Sequence, residues 1–296
     1  MDTVSTPTIQ TPSQWRTIRF EVLERIERLP SLNSVVVEFL SLAGAEFFTA
    51  KDFENILMKD QALVARLLKV ANSGLYGRSR TITSIPEAVV LIGLENLKKI
   101  VYAVSTEGMT RTALTHYNYH TQQGFWHHAM GVAHAARIIA QESSACRLHG
   151  EEGFVAGLLH DVGKLIIDDF LTTEPGDRVT REEEVETVGM DHAELAEYIL
   201  KQWNLPESIT TTVRFHHDYE LGGPWSSSAA ALALAQGVCG AWGIGRKVPV
   251  DLSEEVPSAS FLPVLEALRI STDSWDQILW DIRQNLVRVE EIFTPA

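Results

Sequence analysis

Gly157-Leu158-Leu159-His160-Asp161-Val162-Gly163-Lys164 ends an apolar run on an adjacent His-Asp pair. Neighbouring side chains on a helix diverge by about 100°, so both can face one point only at a helix end or a bend. Val162-Gly163, directly after the pair, supplies that freedom. His128 lies upstream, and His192, His216 and His217 lie downstream. Neutral imidazole and carboxylate are natural ligands for divalent metal ions. Helices packed side by side would bring these groups together, so the pattern predicts a His-Asp metal site on an all-helical scaffold.

The chain on both sides supports the helical reading. From Trp15 to Arg28, Ile18, Val22, Leu23 and Ile26 follow the three-to-four spacing of an amphipathic helix, which Leu29-Pro30 ends. A second helix is expected from Ser34 to Gly44. A third runs over Phe53–Met58 with Thr49 as N-cap, and a fourth over Gln61–Ala71. Asn72-Ser73-Gly74 makes a turn. Ser84-Ile85-Pro86-Glu87 has the form of an N-cap with proline in the first turn, opening an apolar helix over Ala88–Val104 that only Gly93 interrupts. The polar segment 106–124 reads as a connector. Beyond it, helices are expected near 125–142, 150–170, 192–203, 206–216 and 227–242, with the charged stretch Thr173–Glu186 as a solvated loop or exposed helix start. No period-2 strand pattern competes. The expected organisation is a flexible tail over 1–14, an N-terminal helical lobe over 15–105, the connector, a second helical lobe over 125–242, and a helical extension over 243–296.

The chain has 296 residues, of which 45% are hydrophobic, and a formal net charge of −14. Its mean hydropathy is −0.01 and its isoelectric point about 5.2. Such a chain can bury a core unaided. The acidic balance argues against binding nucleic acid or anionic lipid, both of which require clustered Lys and Arg. Two cysteines, Cys146 and Cys239, make no disulfide framework. The first dozen residues carry neither a basic n-region nor an apolar h-region, and no apolar run approaches the roughly 18–20 residues of a membrane span. A cytoplasmic protein without fused input domain, nucleic-acid partner or membrane partner is expected.

Each candidate ligand also has a plain structural reading. His128, at the start of an apolar helix, would alone be a surface or hydrogen-bonded histidine; its neighbour His127 is expected to point elsewhere, and His134 to be structural. His216-His217 at a helix end could simply complement the dipole. Together, however, six converging donors could hold two ions with Asp161 as a bridge. Paired ions can activate water and stabilise phosphoryl oxygens, which makes Lys164 a candidate phosphate contact, its plain alternative being a solvent-facing lysine.

Leu29-Pro30-Ser31-Leu32, the block Lys59–Ser73 ending Ala71-Asn72-Ser73, and Ile82-Thr83-Ser84-Ile85-Pro86-Glu87-Ala88, read in order, resemble an HDOD domain over roughly Ile26–Trp242. The resemblance implies an all-helical bacterial signalling module of two lobes, the lobe over 125–242 an HD-type helical bundle, related to HD phosphohydrolases and HD-GYP cyclic-di-GMP phosphodiesterases. It carries His128, His160, Asp161, His192, His216 and His217 onto the metal-ligand positions of the binuclear enzymes, with iron, manganese or zinc as one or two divalent ions. Two departures stand out. Gln236 occupies the place of the final carboxylate, and Asp218-Tyr219-Glu220-Leu221-Gly222-Gly223-Pro224-Trp225 lacks the Gly-Tyr-Pro that marks cyclic-di-GMP cleavage. The expectation is a regulatory, non-catalytic protein that retains its metal site and acts on other signalling proteins, with a nucleotide or phosphate as a further ligand. A metal-dependent phosphohydrolase and a metal-free interaction scaffold are the alternatives.

Overall fold

The computed structural model describes residues 12–28, 35, 39, 49–72, 82–94, 97, 101, 114–119, 124–173, 179–246, 252, 256 and 258–293. Among them there is no strand; the fold is all-α. The helices are α1 (Pro12–Arg28), α2 (Ala50–Leu57), α3 (Gln61–Ala71), α4 (Ile85–Ile92), α5 (Gly124–Glu142), α6 (Gly150–Leu159), α7 (Lys164–Ile167), α8 (Arg181–Val188), α9 (His192–Gln202), α10 (Glu207–Arg214), α11 (Ser226–Ala241), α12 (Leu262–Leu268) and α13 (Thr272–Phe293). Of the expected helix from Ser34 to Gly44 only Val35 and Phe39 are described, both helical and buried; the rest of it and most of the expected tail lie outside the described residues.

Local chemistry sets the first-lobe boundaries. Thr49 accepts from the Asp52 N–H while Asp52 accepts from the Thr49 N–H, a capping box that starts α2. Ser84 caps α4, and Gly93, at φ 87°, ends it. The turn expected at Asn72 is held by its amide: Nδ2 donates to the carbonyls of Leu68 and Ile82, and Oδ1 accepts the Ile82 N–H at 2.7 Å. Three bonds from one side chain thus fasten the end of α3 to the segment that leads into α4. Leu57, Leu63, Leu67 and Ala88 form the core between them.

The second lobe is built on α5 and α6. A Cβ on Gly157 would lie 2.6 Å from Ala133 Cα and 2.7 Å from the Val132 carbonyl oxygen, so only glycine lets the two backbones touch there. That approach, with the small residues Ala129, Ala133 and Ala136 on α5, sets α6 directly on α5. It thereby brings His160, just beyond α6, to His128 near the start of α5. α11 packs across α5, and α10 across both α6 and α11.

α1 belongs by position in the chain to the first lobe, yet it packs on α7 and α8 of the second. Arg25 forms an ion pair with Asp169 and lies over the Phe170 ring. No helix of the described residues is long and apolar enough to cross a membrane.

Candidate metal centre

Four segments deliver the predicted ligands to one buried point. His128 comes from α5, His160 and Asp161 from the turn after α6, His192 from the first residue of α9, and His216 and His217 from just beyond α10. The ring centroids of His128 and His160 are 5.4 Å apart, those of His160 and His216 5.2 Å, and those of His216 and His217 4.0 Å. Their ligand atoms form two groups, His128–His160–Asp161 and His192–His216–His217, within each of which every pair of atoms lies inside 4.8 Å. Asp161 stands between them. Its Oδ2 is 3.3 Å from His160 Nε2 and 3.8 Å from His128 Nε2, while its Oδ1 is 3.3 Å from His192 Nε2.

The chain bends at the His-Asp pair, as expected, but for another reason than backbone freedom at Val162-Gly163. Gly163 has ordinary right-handed helical angles, φ −60° and ψ −29°, so backbone freedom is not what it contributes. A Cβ there would fall 2.2 Å from the His192 carbonyl oxygen. Glycine is required because the turn carrying Asp161 runs against the start of α9.

The outer nitrogens of three histidines are engaged in a way that aims the inner ones. His160 Nδ1 donates to the Gly157 carbonyl at 2.7 Å, and His216 Nδ1 to the Val213 carbonyl at 2.6 Å. His192 Nδ1 donates to Glu184 Oε2 at 2.7 Å. These protonation sites follow from the acceptors present. They leave the Nε2 lone pairs pointing inward, the arrangement that metal-ligating histidines adopt. Both His128 ring nitrogens, His160 Nε2, His216 Nε2 and Asp161 Oδ1 are buried without a hydrogen-bond partner among the described residues. An unsatisfied buried polar group costs about 1–3 kcal/mol, and several at one point are not sustained by packing alone. Bound divalent ions would satisfy them, so the donor set fits the predicted metal.

The protonation states agree. Burial, reinforced by neighbouring His160, holds His128 well below the ordinary histidine range. Burial and then His217 do the same to His216. His217 is pushed down to about 3 by burial and by His192. Burial alone would raise the Asp161 carboxyl, but His160, Lys164 and His192 outweigh it and keep it ionised. Neutral imidazoles around a carboxylate are the forms that bind a cation.

Lys164 is not solvent-facing. Its Nζ donates to Asp161 Oδ2 at 2.6 Å and lies 5.4 Å from the Tyr117 ring centroid. A cavity of about 330 Å³ opens beside the ligands, lined in part by His128, His216, His217, Tyr219, Gln236 and Arg246. Among the described residues the cation on its wall is Arg246, and Gln236 lines it from α11. Asp191 and Asp218, the carboxylates closest in sequence to His192 and His217, are held by Arg181, which bonds Asp191 at 2.7 Å and Asp218 at 2.6 Å. Asp191 also caps α9 through the Glu194 N–H. His127 lies outside both ligand groups, as expected. His134, the expected structural histidine, is buried against the Phe154 ring.

Besides Arg246, three further site residues escape the sequence reading. Tyr119 OH donates to Asp161 Oδ2 at 3.2 Å, and Tyr117 OH to Glu184 Oε1 at 2.7 Å. Both come from the polar connector, where two tyrosines two residues apart were the available signal. Glu184 lies in the charged stretch expected to face water, and it is 1% exposed. Its signal was Val188, four residues on and therefore on the same helix face.

Residues 29–219 match the model of the HDOD domain. The chain is 27% identical over 219 residues to an uncharacterized protein of Treponema pallidum (strain Nichols), covering 71% of this chain and 42% of that protein. It thus spans less than half the length of that curated relative. Among solved structures, an HDOD domain protein of unknown function from Geobacter sulfurreducens superposes with a TM-score of 0.65 at 25% identity, covering 95% of this chain and 99% of the other. A protein of Marinobacter aquaeolei VT8 provisionally named for signal transduction superposes with a TM-score of 0.68 at 16% identity, covering 97% and 66%. A provisionally named phosphohydrolase of Shewanella amazonensis SB2B gives 0.61 at 22% identity, covering 92% and 95%. The last two resemble this chain in fold.

Proposed function

Because this chain belongs to the HDOD domain family, whose model matches residues 29–219, we propose that it is a cytoplasmic signal-transduction protein built around a metal centre that regulates and does not turn over a substrate. One or two divalent transition ions, iron, manganese or zinc, would be held by His128, His160 and Asp161 on one side and by His192, His216 and His217 on the other. Such ions supply Lewis-acid polarisation of a phosphoryl oxygen or of water. The chain's own residues do the rest. Asp161 offers one oxygen to each ligand group, and the carbonyls of Gly157 and Val213, with Glu184, fix the imidazoles.

The observation that carries the regulatory reading is the wall of the cavity over these ligands. No carboxylate is among the described residues that line it, and Gln236 stands where the enzymes this chain resembles are expected to place one. A neutral amide is a poorer metal ligand and cannot take up a proton. Hydrolysis of a phosphoester needs a group to accept the proton of the attacking water and another to protonate the leaving oxygen. Arg246 and Tyr219 suit recognition of an anion better than either task, which supports a nucleotide or phosphate as an effector. The partners that read the centre are other signalling proteins; a net charge of −14 disfavours nucleic acid and anionic membranes.

A second reading, a metal-dependent phosphohydrolase acting on a nucleotide or phosphodiester, is favoured by the six converging candidate ligands beside a cavity that carries an arginine. Element analysis of the purified protein, followed by incubation of the Mn- and Fe-loaded forms with cyclic-di-GMP and a generic phosphodiester, separates the readings. The regulatory reading expects bound metal and no turnover. Rapid turnover establishes the enzyme instead, and a protein that takes up no ion is the metal-free scaffold.

A further inference from the structure

His192 differs from the other oriented histidines in the nature of its acceptor. His160 and His216 donate to backbone carbonyls, whereas His192 donates to a carboxylate. Glu184 Oε2 also accepts the His192 backbone N–H at 2.8 Å, so one oxygen grips the residue twice. The other oxygen, Oε1, takes the Tyr117 hydroxyl. Three donors therefore fix a side chain that is 1% exposed, and it does not line the cavity. Beyond the ring, His192 Nε2 faces His217 Nε2 at 2.9 Å and Asp161 Oδ1 at 3.3 Å. With Nδ1 committed to Glu184, Nε2 is the lone-pair nitrogen, and His217 donates to it.

We propose that Glu184 is the positioning residue of the His192–His216–His217 half of the site: it selects the His192 tautomer whose lone pair faces inward and makes that imidazole the most electron-rich of the set. A carboxylate behind a ligating imidazole fixes ring orientation and raises its donor strength, and losing such a partner typically costs about 10–100-fold in metal affinity. Burial would raise the Glu184 carboxyl, but its bond to His192 keeps it ionised. Tyr117 acts one step further out, holding Oε1 so that Oε2 stays on His192. The affinity consequence rests on the metal-centre reading; the choice of tautomer does not.

The test is imidazole 15N NMR of the full chain after chelator treatment, with the His192 signals assigned by their loss in His192→Gln. The wild type is expected to show His192 protonated at Nδ1 with a low-field, slowly exchanging proton. Glu184→Ala should move the proton to Nε2, the form a free neutral imidazole prefers. Glu184→Gln, which retains an acceptor and the shape of the side chain, should keep the Nδ1 proton but shift it to higher field as the charged bond is lost. In titrations with Mn(II) or Zn(II), Glu184→Ala should weaken one ion about 10–100-fold and Glu184→Gln less. An unchanged tautomer in Glu184→Ala, or an unchanged proton shift in Glu184→Gln, overturns the proposal, and the second holds if the alanine variant does not fold. A wild type that binds no ion defeats the metal-centre reading alone, because the tautomer still decides the role of Glu184.

Discussion

Gly163 and His192 meet backbone to backbone: a single methyl group on Gly163 would sit 2.2 Å from the His192 carbonyl oxygen. The two residues belong to the two halves of the site, so this contact sets the spacing between Asp161 and the imidazole of His192. Gly163→Ala is expected to destabilise the fold by about 1–3 kcal/mol or more, the range for forced overpacking, and to lower metal stoichiometry. Gly240→Ala is the control, because a Cβ on Gly240 meets nothing within 4 Å. That helical change should be neutral or stabilising by up to about 1 kcal/mol. Urea unfolding with metal analysis reads both; equal effects would contradict the contact.

Lys164 and Asp161 form a buried pair, and removing one partner of such a pair leaves an uncompensated charge. Lys164→Met is expected to cost towards the lower end of about 3–5 kcal/mol in chelator-treated protein, since Tyr119, His160 and His192 still surround the carboxylate. Added Mn(II) or Zn(II) should then raise the melting temperature more than it does in the wild type, the ion replacing the lost cation. Thermal scans with and without metal check this. A smaller metal-induced rise would show that Lys164 assists binding.

Asp161 presents an oxygen to each ligand group, whereas His127 belongs to neither. Asp161→Ala should lower metal occupancy far more than His127→Ala, measured by element analysis after identical purification. Introducing a carboxylate on the cavity wall is the converse change. Gln236→Asp should bind metal more tightly, and any hydrolysis of cyclic-di-GMP should appear in this variant first; each 1.4 kcal/mol of regained transition-state stabilisation is about tenfold in rate. Turnover by the wild type equal to that of the variant would remove Gln236 from the explanation.

Histidines buried in neutral form make the protein acid-sensitive. His217 is held at about 3, and His128 and His216 well below their usual range. In the unfolded chain the same groups titrate near 6.5. The unfolded state therefore binds more protons below that pH. The stability these groups contribute is complete above about 6.5 and is lost as pH falls from there towards 3, at up to about 1.4 kcal/mol per pH unit for each group. Urea unfolding of chelator-treated protein across this window should show the slope, and His217→Gln should reduce it. A flat profile between about pH 6.5 and 4.5 would mean these rings are solvated.

Much of this architecture is written locally. The capping box at Thr49, the Ser84 cap with Pro86 and the amphipathic spacing of Val22 and Ile26 act within one or two helical turns, so the chain near each position suffices to specify it. The six candidate ligands are legible as well, because their residue types at such spacing have few other uses together, and the structure brings them together. What the local chain does not encode is which side of a helix meets which neighbour. Glu184 stands among Glu182, Glu183 and Glu186, four chemically equal carboxylates. It alone turns inward with Val188, because the turn at Gly189 brings His192 back to that face, where Glu184 accepts its backbone and ring N–H groups. Lys164 reads equally as a phosphate contact or a solvent-facing lysine until the turn after α6 folds it back on Asp161. Tyr117 and Tyr119 reach the site only because the connector passes beside it, with the Thr115 and His116 N–H groups bonded to Asp168. Which residues are candidate ligands is a matter of residue type and short-range spacing, which the sequence by itself determines. The outer partners that aim the ligands depend on packing between elements far apart in the chain, and only the tertiary structure decides those.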